Sequence, residues 1–105
     1  MLQKRSLIIN KLKTYISEQI VHTLKRLDFP LNEFSLSPPK KDDFGDLSTN
    51  VAMTLAKAIK TSPLEIAKNI QKDLLENDLN NIKEVTVTPP GFINFIVHPS
   101  FYQNK

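Results

Sequence analysis

Phe92 and Asn94 stand two residues apart in the run Phe92-Ile93-Asn94-Phe95-Ile96-Val97, which reads as a strand. Side chains two apart on a strand share a face. That face carries Phe92, Asn94 and Ile96; the other carries Ile93, Phe95 and Val97 and is wholly apolar. The apolar face should meet helices, which leaves an aromatic and an amide as an exposed pair on the open face. An aromatic ring can stack on an unpaired base, and an amide can hydrogen-bond a base edge. The simpler reading is that Phe92 covers a sheet edge and Asn94 is a solvated polar residue.

Other reactive groups are sparse. Asp42, Asp43 and Asp46 have no histidine nearby and lack the spacing of a calcium loop, so no metal site is expected. There is no cysteine, which excludes disulfides and thiolate ligands. His22 and His98 lie far apart, and His22 reads as a surface or half-buried helix residue. No Walker loop, dinucleotide fingerprint or nucleophile elbow is present, so no catalytic residue and no cofactor-binding residue is expected. Lys40 and Lys41, and the pair Lys57 and Lys60, can contact phosphates, which position RNA without reading its sequence. Their alternative is the ordinary one, lysines in water.

The net charge is +3, and its distribution is uneven. Residues 1–27 hold six basic residues (Lys4, Arg5, Lys11, Lys13, Lys25 and Arg26) against one acid, Glu18. That makes a basic rod on a near-neutral body. It is either a solvated face or a surface that attracts a polyanion. The apolar stretches fall far short of the ~20 residues a membrane span needs. Nothing after Lys4 and Arg5 resembles a signal peptide, so a cytoplasmic location is expected.

The positioning elements can be read in order. Ile9, Leu12, Ile16, Ile20, Leu24 and Leu27 recur at steps of three and four, the stripe of an amphipathic helix over residues 2–27. Asp28-Phe29-Pro30 should end it, because a proline biases its predecessor out of the helical region. Phe34 to Ser37 alternates as a short strand. Gly45 supplies a positive φ ahead of Asp46, which is expected to cap a second helix carrying Val51, Leu55 and Ile59. Ala52, Ala56 and Ala58 would let that helix approach its neighbours closely. Asn50 is free to bond the preceding loop.

Ser62-Pro63-Leu64-Glu65 predicts a third helix, with Ser62 as N-cap, Pro63 in the first turn and Glu65 completing a capping box. It runs to about Asn77 and buries Ile66, Ala67, Ile70 and Leu74. Val85 to Thr88 and Phe92 to Val97 are expected to pair as an antiparallel hairpin, with Pro90 and Gly91 at the centre of a type II turn. The order is helix, strand, helix, helix, strand, strand. That order is not a βαβ alternation. It predicts an α+β fold: one domain with a small antiparallel sheet and helices packed on one face.

Two segments together are more specific than any of these signals. Pro38-Pro39-Lys40 leads to Phe44-Gly45-Asp46, then to Asn50-Val51-Ala52-Met53 and Leu55-Ala56-Lys57; further on stands Pro90-Gly91-Phe92-Ile93-Asn94-Phe95. In order and spacing they resemble the two signatures of the N-terminal additional domain of arginyl-tRNA synthetases. Pro63-Glu65-Ile66-Ala67 fits that family's third helix, and the resemblance covers residues 5–98.

The resemblance implies a domain over 1–98 that grips the D-loop at the tRNA elbow and does no chemistry. Residues 99–105, with Ser100-Phe101-Tyr102, would begin a linker helix toward a catalytic domain. The parent would be an arginine–tRNA ligase, which uses ATP to attach arginine to its tRNA. The fragment itself would hold no cofactor, since neither the histidine-any-glycine-histidine motif nor the lysine loop of the catalytic domain is here. Partners would be an arginine-accepting tRNA and the catalytic body of the same chain, with no membrane and no metal. By position, Phe92 and Asn94 would read a D-loop base; Lys40 and Lys41 remain candidates for the RNA backbone on their charge alone. A well-studied eukaryotic form has glutamine at the position of Asn94 and asparagine at that of Pro89. A non-catalytic protein-interaction or docking module is the alternative. The octamer of RNA-recognition motifs is a third comparison, but Pro90, Asn94 and the helix order break its pattern.

Overall fold

The computed structural model describes residues 2–39, 45–77 and 79–98, with side chains from Asn10 onward. The elements are α1 (Leu2–Arg26), β1 (Leu36–Ser37), β2 (Leu47–Thr49), α2 (Val51–Ile59), α3 (Pro63–Glu76), β3 (Ile82–Thr88) and β4 (Phe92–Val97). The sheet order is β1-β2-β4-β3, and every neighbouring pair is antiparallel. The fold is therefore α+β, as the element order predicts. Among the described residues, no helix is long and apolar enough to cross a membrane.

The stripe on α1 does what its spacing requires: Leu12, Ile16, Ile20 and Leu24 are fully buried in the core. The helix stops earlier than Pro30 alone would dictate. Asp28 adopts φ 60, and two bonds close the end: Phe29 N–H to the Leu24 carbonyl at 2.8 Å and Asp28 N–H to the Lys25 carbonyl at 3.2 Å. This is a Schellman ending with an aspartate in the left-handed position usually given to glycine.

α2 buries Val51, Ala52 and Leu55 and ends at left-handed Lys60. Ala52 meets the core, Ala56 is half-buried and Ala58 faces solvent, so only part of the expected small-residue face is used. α3 follows its local signals closely. Pro63 sits in the first turn, Ser62 Oγ accepts from Glu65 N–H at 3.4 Å, and Ile66, Ala67, Ile70 and Leu74 are buried. The first half of the capping box is thus in place.

Three expectations around the strands are corrected. Residues 47–49 form a strand, β2, where the start of a helix was expected. Asp46 consequently caps no helix: its N–H donates to the Phe95 carbonyl at 2.9 Å, and its Oδ2 accepts from Val97 N–H at 2.8 Å. The N-cap position of α2 belongs to Asn50, whose Oδ1 instead accepts from Ser35 N–H at 2.8 Å. The β3–β4 turn is not type II, because Gly91 does not adopt the left-handed φ that its second central position requires. The expected first strand also shrinks from Phe34–Ser37 to Leu36–Ser37.

A polar pin joins α1 to α3. Thr23 Oγ1 donates to Asp73 Oδ2 at 2.7 Å, and Arg26 reaches the same carboxylate through Nη2 at 2.7 Å and Nε at 3.0 Å. Hydrogen bonding from Arg26 holds the Asp73 carboxyl below its ordinary value of 3.8; burial opposes this, while Thr23 and the Arg26 charge reinforce it. A carboxylate with a depressed folded-state pKa stabilises the fold above 3.8, and that contribution is lost as pH falls through the folded value. Asp73→Asn should lower unfolding free energy at pH 7 by about 1–3 kcal/mol. In urea melts, the gap between variant and parent should narrow below pH 3.8. A gap independent of pH would contradict this role for the ionised carboxylate.

Candidate functional site

The central strand β4 builds the site. Its inward residues Ile93, Phe95 and Val97 are buried against the helices, as parity requires. In register, Leu47, Phe95 and Val85 form one row beneath the sheet. Ser37, Ser48, Asn94 and Thr86 form a polar row on the opposite face, crossing all four strands. Thr88 stands opposite Phe92 in the neighbouring row.

Phe92 is 39% exposed, which places its ring on the surface as expected. Asn94 is not the exposed amide that parity suggested: it is 1% exposed. The reason is its position on a central strand, between Ser48 on β2 and Thr86 on β3. Its Nδ2 donates to Thr88 Oγ1 at 3.1 Å and, more weakly, to Thr86 Oγ1 at 3.5 Å. Its Oδ1 is buried with no partner among the described residues. Because almost all buried polar groups are paired, an orphaned acceptor invites a reason.

Phe92 and Asn94 line one cleft of about 520 Å³ together with Pro38, Pro39, Thr88 and Pro89. Among the described residues the rest of the lining is Ser35, Ser37, Ser48, Thr49 and Asn50, none of them charged. The wall suits a flat, neutral group with a polar edge better than it suits a bare phosphate.

The expected phosphate contacts are less concentrated. Lys40 and Lys41, like Asp42, Asp43 and Phe44, lie outside the described residues, as does the segment 99–105. Lys57 and Lys60 are exposed at the far end of α2, while the cleft touches that helix only at its N-cap Asn50. On α1, Lys11 and Lys25 are exposed, but Arg26 is held by Asp73. His22 is exposed on the same helix.

Both glycines hold the site's frame. Gly45 has φ 122, and a Cβ there would stand 2.8 Å from the Phe95 carbonyl oxygen. At Gly91 a Cβ would stand 2.9 Å from Pro63 Cβ, so the hairpin turn packs directly on the first turn of α3. Sequence reading missed the serine and threonine row entirely. Thr86 could have been found by parity within β3. Ser48 could not, because three residues are too few to announce β2.

A small α+β domain with a four-stranded antiparallel sheet, helices on one face and a cleft on the other is the class these observations define. The family described as "Arginyl tRNA synthetase N terminal domain" matches residues 10–97. An arginine–tRNA ligase of Mesomycoplasma hyopneumoniae is 37% identical over 93 residues, which cover 89% of this chain and 17% of that relative. One from Mycoplasmoides gallisepticum is 40% identical over 92 residues, 87% of this chain and 16% of the relative. One from Thermotoga petrophila is 41% identical over 91 residues, with the same coverage of 87% and 16%. The chain belongs to the arginyl-tRNA synthetase N-terminal domain family, and it spans about a sixth of the length of these relatives.

Asp46→Ala removes the acceptor for a backbone N–H at buried Val97 and should destabilise the domain by about 1–3 kcal/mol in urea unfolding. Asp46→Asn keeps an acceptor and should lose less. Equal losses would mean that the charge, not the hydrogen bond, secures β4.

Proposed function

We propose that this chain is the tRNA-elbow-binding domain of an arginine–tRNA ligase. The parent enzyme would attach arginine to its tRNA at the expense of ATP, in the cytoplasm. The domain would add affinity and orientation while the catalytic body of the same chain performs the reaction. Family membership supports the parent function. The observation that carries the RNA reading is the exposed ring of Phe92 at the cleft that Asn94 also lines.

Phe92 offers a stacking surface for an unpaired D-loop base. Asn94, 1% exposed and bonded to Thr88, would contribute to the polar wall beside that base. Stacking of this kind is worth about 1–3 kcal/mol per base. Lys40 and Lys41 would add phosphate contacts, which orient the RNA without selecting its sequence. The basic residues of α1 would add long-range attraction. Affinity should then fall with rising salt as counterions are released.

Phe92→Ala should weaken binding of an arginine-accepting tRNA by about 5- to 150-fold, the factor that 1–3 kcal/mol represents. Its melting temperature should stay close to that of the parent, because the ring is 39% exposed. Binding measured by fluorescence anisotropy at low and moderate salt decides the matter. Unchanged affinity would sink the stacking role. Binding of the catalytic body that is insensitive to salt, with no tRNA affinity, would instead support a docking module, for which exposed Leu75 offers an apolar contact.

A further inference from the structure

We propose that Gln71 guards the outer edge of the sheet: its amide occupies the β3 carbonyl that a second copy of this chain would need in order to add its own β3 there. The inference concerns the edge of β3 and does not rest on the RNA reading of the cleft.

A free strand edge carries unpaired N–H and C=O groups and invites pairing with another chain. The edges of this sheet are β1 and β3. β1 is two residues long and runs into Pro38 and Pro39, so it offers little ladder. β3 is seven residues long. Its first half is blunted by the irregularity between Ile82 and Glu84 and by the exposed charges of Lys83 and Glu84. Its second half, Val85-Thr86-Val87-Thr88, is uncharged, β-branched throughout and free of proline, the composition that pairs most readily.

The register fixes which backbone groups face outward. The Phe95 carbonyl accepts from Asp46 N–H, and Val97 N–H donates to Asp46 Oδ2, so these residues of β4 turn their backbone groups toward β2. Phe95 and its partner Val85 on β3 therefore form a pair without mutual hydrogen bonds. Val85 and, two residues on, Val87 direct their N–H and C=O groups away from β4, to the open edge. Gln71 on α3 reaches the first of them: its Nε2 donates to the Val85 carbonyl at 2.7 Å.

The Val-Thr-Val-Thr run is self-complementary. Two copies of β3 related by a twofold axis at Thr86 would set Val85 of each opposite Val87 of the other, an isologous contact. Each such pair makes two bonds, Val85 N–H to the Val87 carbonyl and Val87 N–H to the Val85 carbonyl. The Gln71 amide fills the acceptor of one bond in each pair and stands where the incoming strand would lie. Glu84 would face Thr88 of the second copy and Lys83 its Pro89, so like charges do not meet across the axis. Along the same edge, exposed Leu75 lines a groove of about 170 Å³ with Leu79, Ile82, Glu84 and Val85, apolar surface that a second copy would cover.

The test uses this chain. Gln71→Met keeps the length of the side chain and removes its donor; Gln71→Lys keeps a donor of similar reach. In sedimentation at matched concentrations, Gln71→Met should dimerise about tenfold or more tightly than the parent, and Gln71→Lys should behave as the parent does. The chain has no cysteine, so Thr86→Cys adds a single thiol at the twofold axis. Opposite residues of this kind have Cα atoms about 4.5 Å apart, within disulfide range. In the Thr86→Cys background, mild oxidation should join Gln71→Met chains into covalent dimers and leave chains that keep Gln71 single. Circular dichroism and urea midpoints establish that each variant is folded, and Gln71→Ser takes the place of Gln71→Met if that variant unfolds. A folded variant as monomeric as the parent, or a dimer that the added thiol does not join, overturns the proposal. If neither variant folds, the amide serves stability alone and the proposal falls as well.

Discussion

The register of β4 between β2 and β3 is the constraint on which the rest of the molecule depends. Phe95 stands opposite Leu47 on one side and Val85 on the other, and that single row joins the two halves of the chain beneath the helices. Strand side chains alternate, so a slip of one residue would turn Ile93, Phe95 and Val97 to solvent and drive Phe92 and Asn94 into the core. Burial makes such a slip very costly, since fully burying an aromatic or branched apolar side chain is worth about 1.5–3 kcal/mol. The polar row on the open face is therefore a consequence of the hydrophobic row beneath it.

Several local devices defend that register. Asp46 exchanges two hydrogen bonds with β4, one through its backbone and one through its carboxylate, just where β2 begins. Gly45 lets the chain pass against the Phe95 carbonyl, an approach that any side chain would block. At the other end of β4, Gly91 lets the turn rest on Pro63 at the start of α3. The Arg26–Asp73–Thr23 pin then ties α3 to α1 away from the sheet. The two motifs that mark the family in the sequence thus meet at β4, one on its flank and the other forming the strand itself.

The site follows from this frame by a division of faces. Helices cover one side of the sheet, so its backbone bonds are protected and its open side is free to be polar. Ser37, Ser48, Asn94 and Thr86 cross that side in register, with Phe92 beside them. Among the described residues the cleft carries one exposed ring and no charged side chain, a lining that favours stacking and hydrogen bonding over charge pairing. Charge enters from the periphery, on α1 and at the outer end of α2, where it can steer a polyanion without selecting a base.

The sequence by itself determined the elements whose signals are local. The stripe on α1, the Ser62-Pro63 start of α3 and the alternation of β4 were all legible, because periodicity and capping depend on neighbours in the chain. The α+β class followed from their order, and the paired motifs pointed to the family. Tertiary structure alone decided what depends on distant partners. Residues 47–49 became a strand because β4 offered them a ladder, and Asp46 was drawn to Val97 instead of to a helix end. Asn94 kept the face its parity assigned but lost its exposure, because neighbours on β2 and β3 close over a central strand. Parity is a property of one strand, whereas burial is a property of the sheet around it.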